Sequence, residues 1–420
     1  MKRYLSNYRL EYFKLGNDLQ VVLANNPELA VFSMNLLYKV GSKEEQKSQM
    51  GIAHLLEHLM FDNVDGFKKG EFDNICSKAG GTNNAYTSFD MTSYTMTLPA
   101  NQLELGLWLE SQRFNNFSIN QDNFEIQQKV VIEEINQVIN NQPYGKWRDI
   151  MASISYTPKS CYSWEVQGSV ESVQNLTLSD IELYYKTHYK PDNAVLVLAG
   201  GFDIDNAKRF IQKYFGKKNP EPTNKKKIYT SKQYSFFEVF EDNIPHDACF
   251  MGFHSSSFKA SDAMYGDILA NILTNTRSSM VYKDLIHEKQ IASQVGSYLD
   301  KREESSLFII YAIGADEKVE SNTLYYEMCN NLRGLTNKVT QEMMEKAISN
   351  LLTQVAFETM YSHGIADIIG IDVHFYGKYD KIRSLITKYK NANLESLKRY
   401  IDKHIDLIAA NRVDAKPFKN

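Results

Sequence analysis

Three residues in a five-residue window, His54, Glu57 and His58, are the clearest candidates for chemistry in this 420-residue chain. They lie in Met50-Gly51-Ile52-Ala53-His54-Leu55-Leu56-Glu57-His58-Leu59-Met60-Phe61. Apolar residues fill the gaps and proline is absent, which predicts a buried helix opening near Gly51. On a helix, residues four apart stand one turn above each other. His54 and His58 therefore share a face, with Glu57 beside them. Two imidazoles so placed can grip one Zn²⁺ and leave the carboxylate near a metal-bound water. The order is HxxEH, the inverse of the commoner HExxH. A single histidine on an apolar helix is ordinarily a core residue. Two at this spacing with an acid between them are costly to bury without a metal or a partner.

A catalytic zinc held by two histidines takes a third protein ligand and keeps one position open. The long helix expected from Gln121 to about Asn140, stopped by Pro143, carries Glu133 and Glu134 amid Phe124, Val130, Val131, Ile132 and Ile135. Either acid reads as surface charge or as the third ligand, and the residues alone leave that open. His246, His254, His287, His363, His374 and His404 are scattered and read as structural or exposed.

The elements that must position these groups follow from periodicity and turn signals. Leu19–Ala24 and Val31–Val40 are β-rich around Asn25-Asn26-Pro27, which predicts a hairpin. Phe72–Ala79 reads as a helix, Thr82–Tyr86 and Thr92–Leu98 as strands, Asn101–Asn115 as a helix, and Asn193–Gly201 as a continuous apolar strand. The stretch Gly216–Lys227 holds two prolines, five lysines and no apolar residue, and reads as a linker that halves the chain. In the second half, Cys249–His254 and Leu307–Gly314 read as strands, and Ala260–Leu273, Ser279–Glu288 and Gln341–Phe357 as helices. Composition is that of a soluble protein, with 43% hydrophobic and 23% charged residues. A net charge of −4 without a basic block argues against nucleic acid. The polar start Met1–Tyr8 and the lack of an 18-residue apolar run argue against a signal peptide and a membrane span, so cytoplasm is the expectation. Cys76, Cys161, Cys249 and Cys329 are far apart and read as free thiols.

Beyond the HxxEH window, several stretches resemble the M16 peptidases, the pitrilysin or insulinase-like family that includes the mitochondrial processing peptidases. Gly41–Phe61, GSKEEQKSQMGIAHLLEHLMF, is similar to the family's lead into HxxEH. Gly80–Tyr94, GGTNNAYTSFDMTSY, resembles its GG-x-x-NA-x-T segment, and Val130–Ile135, VVIEEI, its distal-ligand helix. His188–Asp203 resembles the strand closing the first domain, and Thr276–Val295 a segment of the second. The resemblance implies that His54, His58 and Glu134 hold one zinc per chain and that Glu57 is the general base. Glu134, rather than Glu133, matches the family's ligand, 76 residues after His58. Asn84 and Ala85 would lie on an edge strand that pairs with substrate backbone. Two departures stand out. Gln127 occupies the position, seven before the distal ligand, where many members carry glutamate. Ile286 and Ser293 stand where active members supply an Arg and a Tyr.

The fold implied is α+β: two similar domains, 1–218 and 229–420, each a mainly antiparallel sheet with helices on one face, together half of a clamshell chamber. The function implied is a zinc endopeptidase for peptides or unfolded segments. It would work as a dimer, possibly a heterodimer with an M16-like chain supplying Arg and Tyr. The alternatives are a non-catalytic assembly subunit and a zinc-dependent binding module.

Overall fold

The computed structural model describes residues 7–219, 222–223 and 229–418. The expected linker lies partly outside them, at 220–221 and 224–227, as does the start of the N-terminal stretch, 1–6. The chain forms two compact units. Neither is continuous in sequence. Unit 1 comprises the described residues within Met1–Ile135, Val166–Ile228 and Ala356–Leu385, and unit 2 those within Asn136–Glu165, Tyr229–Val355 and Ile386–Asn420. Each unit takes a segment from the other half of the sequence.

Unit 1 is built on a six-stranded sheet of β1 (Arg9–Lys14), β2 (Gln20–Asn25), β3 (Val31–Tyr38), β4 (Thr82–Thr87), β5 (Thr92–Pro99) and β6 (Ala194–Gly200). The strand order is β1-β2-β6-β3-β5-β4. Only β2 and β6 run parallel; the other neighbours are antiparallel. The expected hairpin of Leu19–Ala24 with Val31–Val40 is therefore corrected: β6 lies between the two strands. β2 and β6 are apolar on both faces, with Val21–Ala24 and Ala194–Ala199 fully buried, and β3 is buried from Phe32 to Tyr38. Such strands take central positions, where neighbours and covering layers exclude water on every side. The local hairpin is instead β1–β2, turned at Leu15–Leu19, where Asp18 adopts φ 69°.

Four helices of the first half follow as α1 (Ile52–Asp62), α2 (Glu71–Lys78), α3 (Leu103–Asn115) and α4 (Gln121–Ile135). The first three pack toward the β3 face carrying Phe32, Met34, Leu36 and Tyr38. The opposite face is polar and is covered by the Ser362–Tyr376 helix. There Ser33 Oγ lies 2.7 Å from Ser362 Oγ, and Asn35 Nδ2 donates to Asp367 Oδ1 at 2.6 Å. Ser93 Oγ donates to Asn35 Oδ1 at 2.7 Å. The sheet thus has helices on one face, as expected, and a further helix from the distant end of the chain on the other.

Unit 2 holds a five-stranded sheet of β7 (Phe237–Asp242), β8 (Ala248–His254), β9 (Ala292–Asp300), β10 (Leu307–Gly314) and β11 (Asn411–Pro417), in the order β7-β11-β8-β10-β9. β7 and β11 are parallel and the rest antiparallel. Its borrowed helix is α5 (Trp147–Ser155), from the first half of the sequence. Trp147 of α5 stacks on Phe250 of β8 with ring centroids 4.5 Å apart. No described helix is long and apolar enough to cross a membrane.

Candidate metal centre

The helix carrying His54, Glu57 and His58 is fixed at its start by chain geometry and by a carboxylate. Gly51, the N-cap of α1, has φ 88°, and a Cβ there would stand 2.6 Å from Gln167 O. Only glycine meets both demands without strain. Glu45 (7% exposed) then accepts Gly51 N–H at 3.1 Å through Oε2 and Ala53 N–H at 3.0 Å through Oε1. This supplies acceptors for N–H groups that an α-helix leaves unpaired, next to the positive end of its dipole. Leu55, Leu56, Leu59 and Met60 bury the rest of α1, which leaves the histidines on its partly open side.

The lead-in loop is locked to the β4–β5 hairpin. Ser42 N donates to Ser88 O and Lys43 N to Phe89 O, and Lys43 Nζ lies 3.1 Å from Asp90 Oδ1 in a buried ion pair. Gly41 passes so close to the hairpin that a Cβ would meet Ser88 O at 2.2 Å. The hairpin in turn reaches α1: Thr87 Oγ1 of β4 donates to Glu57 Oε2 at 2.6 Å. Burial pushes the Glu57 carboxyl up from the usual range, and the Thr87 hydrogen bond opposes that push.

The histidine rings stand edge to face with centroids 4.8 Å apart. Glu134, in the last turn of α4, faces both. Its Oε2 is 3.2 Å from His58 Nε2 and its Oε1 3.8 Å from His54 Nε2. One ligand atom from each of the three residues falls within a 4.8 Å span, and no other such group occurs among the described residues. Two imidazoles and a carboxylate are the donor types that would hold a zinc ion. Protonation also suits a cation. Desolvation, aided by His58, holds the His54 imidazole down at about 4, hence neutral at pH 7. The hydrogen bond from His58 holds Glu134 below the usual carboxylate range, so it is ionised. Neutral imidazoles and a carboxylate are the forms that bind metal. His54 Nδ1 is buried without a hydrogen-bond partner among the described residues, unlike most metal-bound histidines, whose second nitrogen donates to an acceptor.

Of the two acids on α4, the structure brings Glu134 to the histidines, while Glu133 is exposed. Gln127 is partly buried on the same helix, two turns before Glu134. Asn84 and Ala85 lie on β4, which is the sheet's edge strand. Strand alternation puts Ala85 on the face of Thr87 and Asn84 on the face of the Ser362–Tyr376 helix. Asn84 Oδ1 accepts the Ala85 N–H at 3.0 Å. In unit 2, Ser293 Oγ donates to Gly314 O at 2.8 Å, and Ile286 lies in a π-helical turn, Lys283–Glu288. His254 and His404 bond to backbone carbonyls, in keeping with structural roles. Sequence reasoning missed Glu45, Lys43, Thr87 and Asp90. All four lie in the quoted motif stretches; Lys43 and Asp90 pair across 47 positions and Thr87 reaches Glu57 across 30, while Glu45 caps a helix start only six to eight residues on.

Two histidines and a glutamate converging on one point, with a second glutamate beside them, form a candidate metal site on an α+β scaffold. The family model described as Insulinase (Peptidase family M16) matches residues 20–156, and that described as Peptidase M16 inactive domain matches residues 175–351. The chain belongs to peptidase family M16. It is 30% identical over 347 residues to the zinc protease PqqE of Helicobacter pylori, covering 80% of this chain and 77% of that protein. It is 21% identical to a probable mitochondrial-processing peptidase subunit beta of Arabidopsis thaliana, over 93% of this chain and 75% of that one. Among solved structures, a protease from Helicobacter pylori superposes with a TM-score of 0.91 at 26% identity, covering 98% of this chain and 100% of that chain. A chain of complex III2 from Candida albicans shares the fold alone, with a TM-score of 0.81 at 16% identity, over 97% and 96% of the two chains.

Proposed function

We propose that this chain is a zinc-dependent endopeptidase acting on peptides or unfolded segments. The observation that carries the reading is the convergence of His54, His58 and Glu134 with Glu57 held beside them by Thr87. A purely structural zinc site would use four protein ligands and have no need of a base. His54, His58 and Glu134 hold the metal, one ion per chain. Bound there, zinc supplies Lewis acidity toward the scissile carbonyl and toward water. Glu57 takes the proton of the attacking water and delivers it to the leaving amine. Burial suits it to both tasks by raising its proton affinity, while Thr87 fixes one carboxylate oxygen. The edge strand β4 offers backbone groups to an extended chain near Ala85, so an unfolded segment can add to the sheet as a further strand.

A partner follows from what unit 2 lacks. Ile286 and Ser293 cannot donate as an arginine and a tyrosine do. The reading therefore includes a dimer in which an M16-like chain brings an Arg and a Tyr. The naming of a relative as a processing-peptidase beta subunit supports this. The same two positions favour a second reading, a non-catalytic assembly subunit.

The test is cleavage of a quenched fluorescent peptide mixture by the zinc-loaded chain, with Glu57→Gln as control. Glu57-dependent cleavage by this chain alone upholds the peptidase and removes the need for a partner. Cleavage that appears only on adding an Arg/Tyr-bearing chain upholds the heterodimer. No cleavage in either case leaves the assembly subunit.

A further inference from the structure

Helix α3 carries an arginine into the interior of unit 1. Arg113 and Glu110 are each 1% exposed, with Arg113 Nε 3.6 Å from Glu110 Oε1. None of the guanidinium nitrogens has a hydrogen-bond partner among the described residues, and neither has Glu110 Oε1. Aromatic rings surround the cation instead. Its central carbon lies 4.3 Å from the ring centroid of Phe72, 4.8 Å from that of Tyr94 and 5.0 Å from that of Phe61. Desolvation holds the Glu110 carboxyl above its usual range, against the pull of Arg113.

Such a pair is a poor source of stability. Two ions taken out of water recover the loss only with full hydrogen bonding, and apolar residues of equal volume are often as good or better. Stacking on aromatic faces recovers part of the loss. What the arrangement does supply is direction, because a flat cation meets three rings in one orientation. The rings come from three elements: Phe61 from α1, Phe72 from α2 and Tyr94 from β5. Phe61 stands three residues beyond His58. Tyr94 pairs with Ala85 of β4, two residues before Thr87, the donor to Glu57. The cage therefore ties together the two elements that meet at the Thr87–Glu57 bond.

We propose that Arg113, neutralised by Glu110, is a positioning residue that sets α1 against the β4–β5 hairpin and so fixes the geometry of His54, Glu57 and His58. The catalytic consequence rests on the peptidase reading, whereas the metal-binding consequence stands apart from it. The test is the volume-conserving double variant Glu110→Gln/Arg113→Met, which removes both charges. Its metal-free melting temperature is expected to equal or exceed that of the parent. Its zinc dissociation constant should rise, and its kcat fall at unchanged KM, by about 10- to 100-fold, as when a supporting partner of a metal ligand is lost. The cobalt-substituted protein should show a shifted visible spectrum. Parental zinc affinity and kcat in a stable double variant overturn the proposal, as does a loss that runs in step with a lowered melting temperature. Should the double variant not fold, Arg113→Lys decides, since it keeps the charge but not the plane. Weaker zinc binding at parental stability upholds the proposal, and parental affinity overturns it. If the parent chain cleaves no peptide either alone or with an Arg/Tyr-bearing chain, the peptidase reading fails while the zinc titration still decides the role of Arg113.

Discussion

Glu45 has no place in the metal's ligand set, yet Glu45→Ala should be among the most damaging single changes in unit 1. The carboxylate holds two backbone N–H groups at the first turn of α1, at 3.1 and 3.0 Å, in a buried setting. Alanine leaves both donors without an acceptor, at about 1–3 kcal/mol each. Part of this is recovered because a carboxylate is no longer buried. The net loss should be about 2–4 kcal/mol, above the ~0.5–2 kcal/mol typical of a lost helix cap. Glu45→Gln keeps one carbonyl oxygen but turns an NH₂ toward the second donor, so it should lose about half as much. The assay is urea unfolding of the metal-free chain, so that zinc binding adds nothing to the folded state. Calorimetric zinc titration of the same variants should show weaker binding, since His54 lies one residue past the second held N–H. Stability of Glu45→Ala within about 0.5 kcal/mol of the parent, the range of a neutral surface change, would refute the capping argument.

Glu57→Gln should lower kcat by about 10²–10⁴-fold, the usual loss with a general base, at unchanged zinc stoichiometry. Chelation should abolish activity, and restored zinc at about 100 times its dissociation constant should raise unfolding free energy by about 2.7 kcal/mol. Thr87→Val removes a 2.6 Å hydrogen bond to the base, and a kcat loss of about tenfold or more is expected from a bond to a charged group. Unchanged kinetics in that variant would show that Glu57 is held by other means. His254 in unit 2 gives a pH effect independent of the metal. Burial holds its imidazole down at about 4, against an unfolded value near 6.5. The unfolded chain therefore binds more protons between these values, and stability falls as pH drops from about 6.5 to 4, by about 3 kcal/mol in all. The slope of unfolding free energy against pH should flatten in His254→Gln.

The candidate ligands His54 and His58 were legible because they obey helical spacing within one window, and Glu134 because it sits in a second long helix. The choice between Glu133 and Glu134 was not decided by periodicity, since either can face a neighbour until that neighbour is placed. The β2–β3 hairpin failed for a related reason. Asn25-Asn26-Pro27 marks a turn truthfully, but only the fully apolar β6, about 170 residues later, reveals that a strand fits between. Thr87, Asp90 and Lys43 look like ordinary polar residues in a line of sequence. Their roles come from long-range partners, as does that of Arg113, whose ring cage is drawn from three separate elements.

The exchange of helices between the two halves has a consequence for how the protein is made. Ser33 waits for Ser362, 329 positions later, before the polar face of the first sheet is covered. At about 5–20 residues per second of synthesis, that delay lasts on the order of tens of seconds. During this time Ser33 lacks Ser362 and Asn35 lacks Asp367, and the first half cannot finish as an autonomous folding unit on the ribosome. Completion is a late, long-range event of high contact order, which slows folding. A chain terminated between α4 and the Ser362–Tyr376 helix would carry His54, His58 and Glu134 and still lack the helix that covers the sheet supporting them.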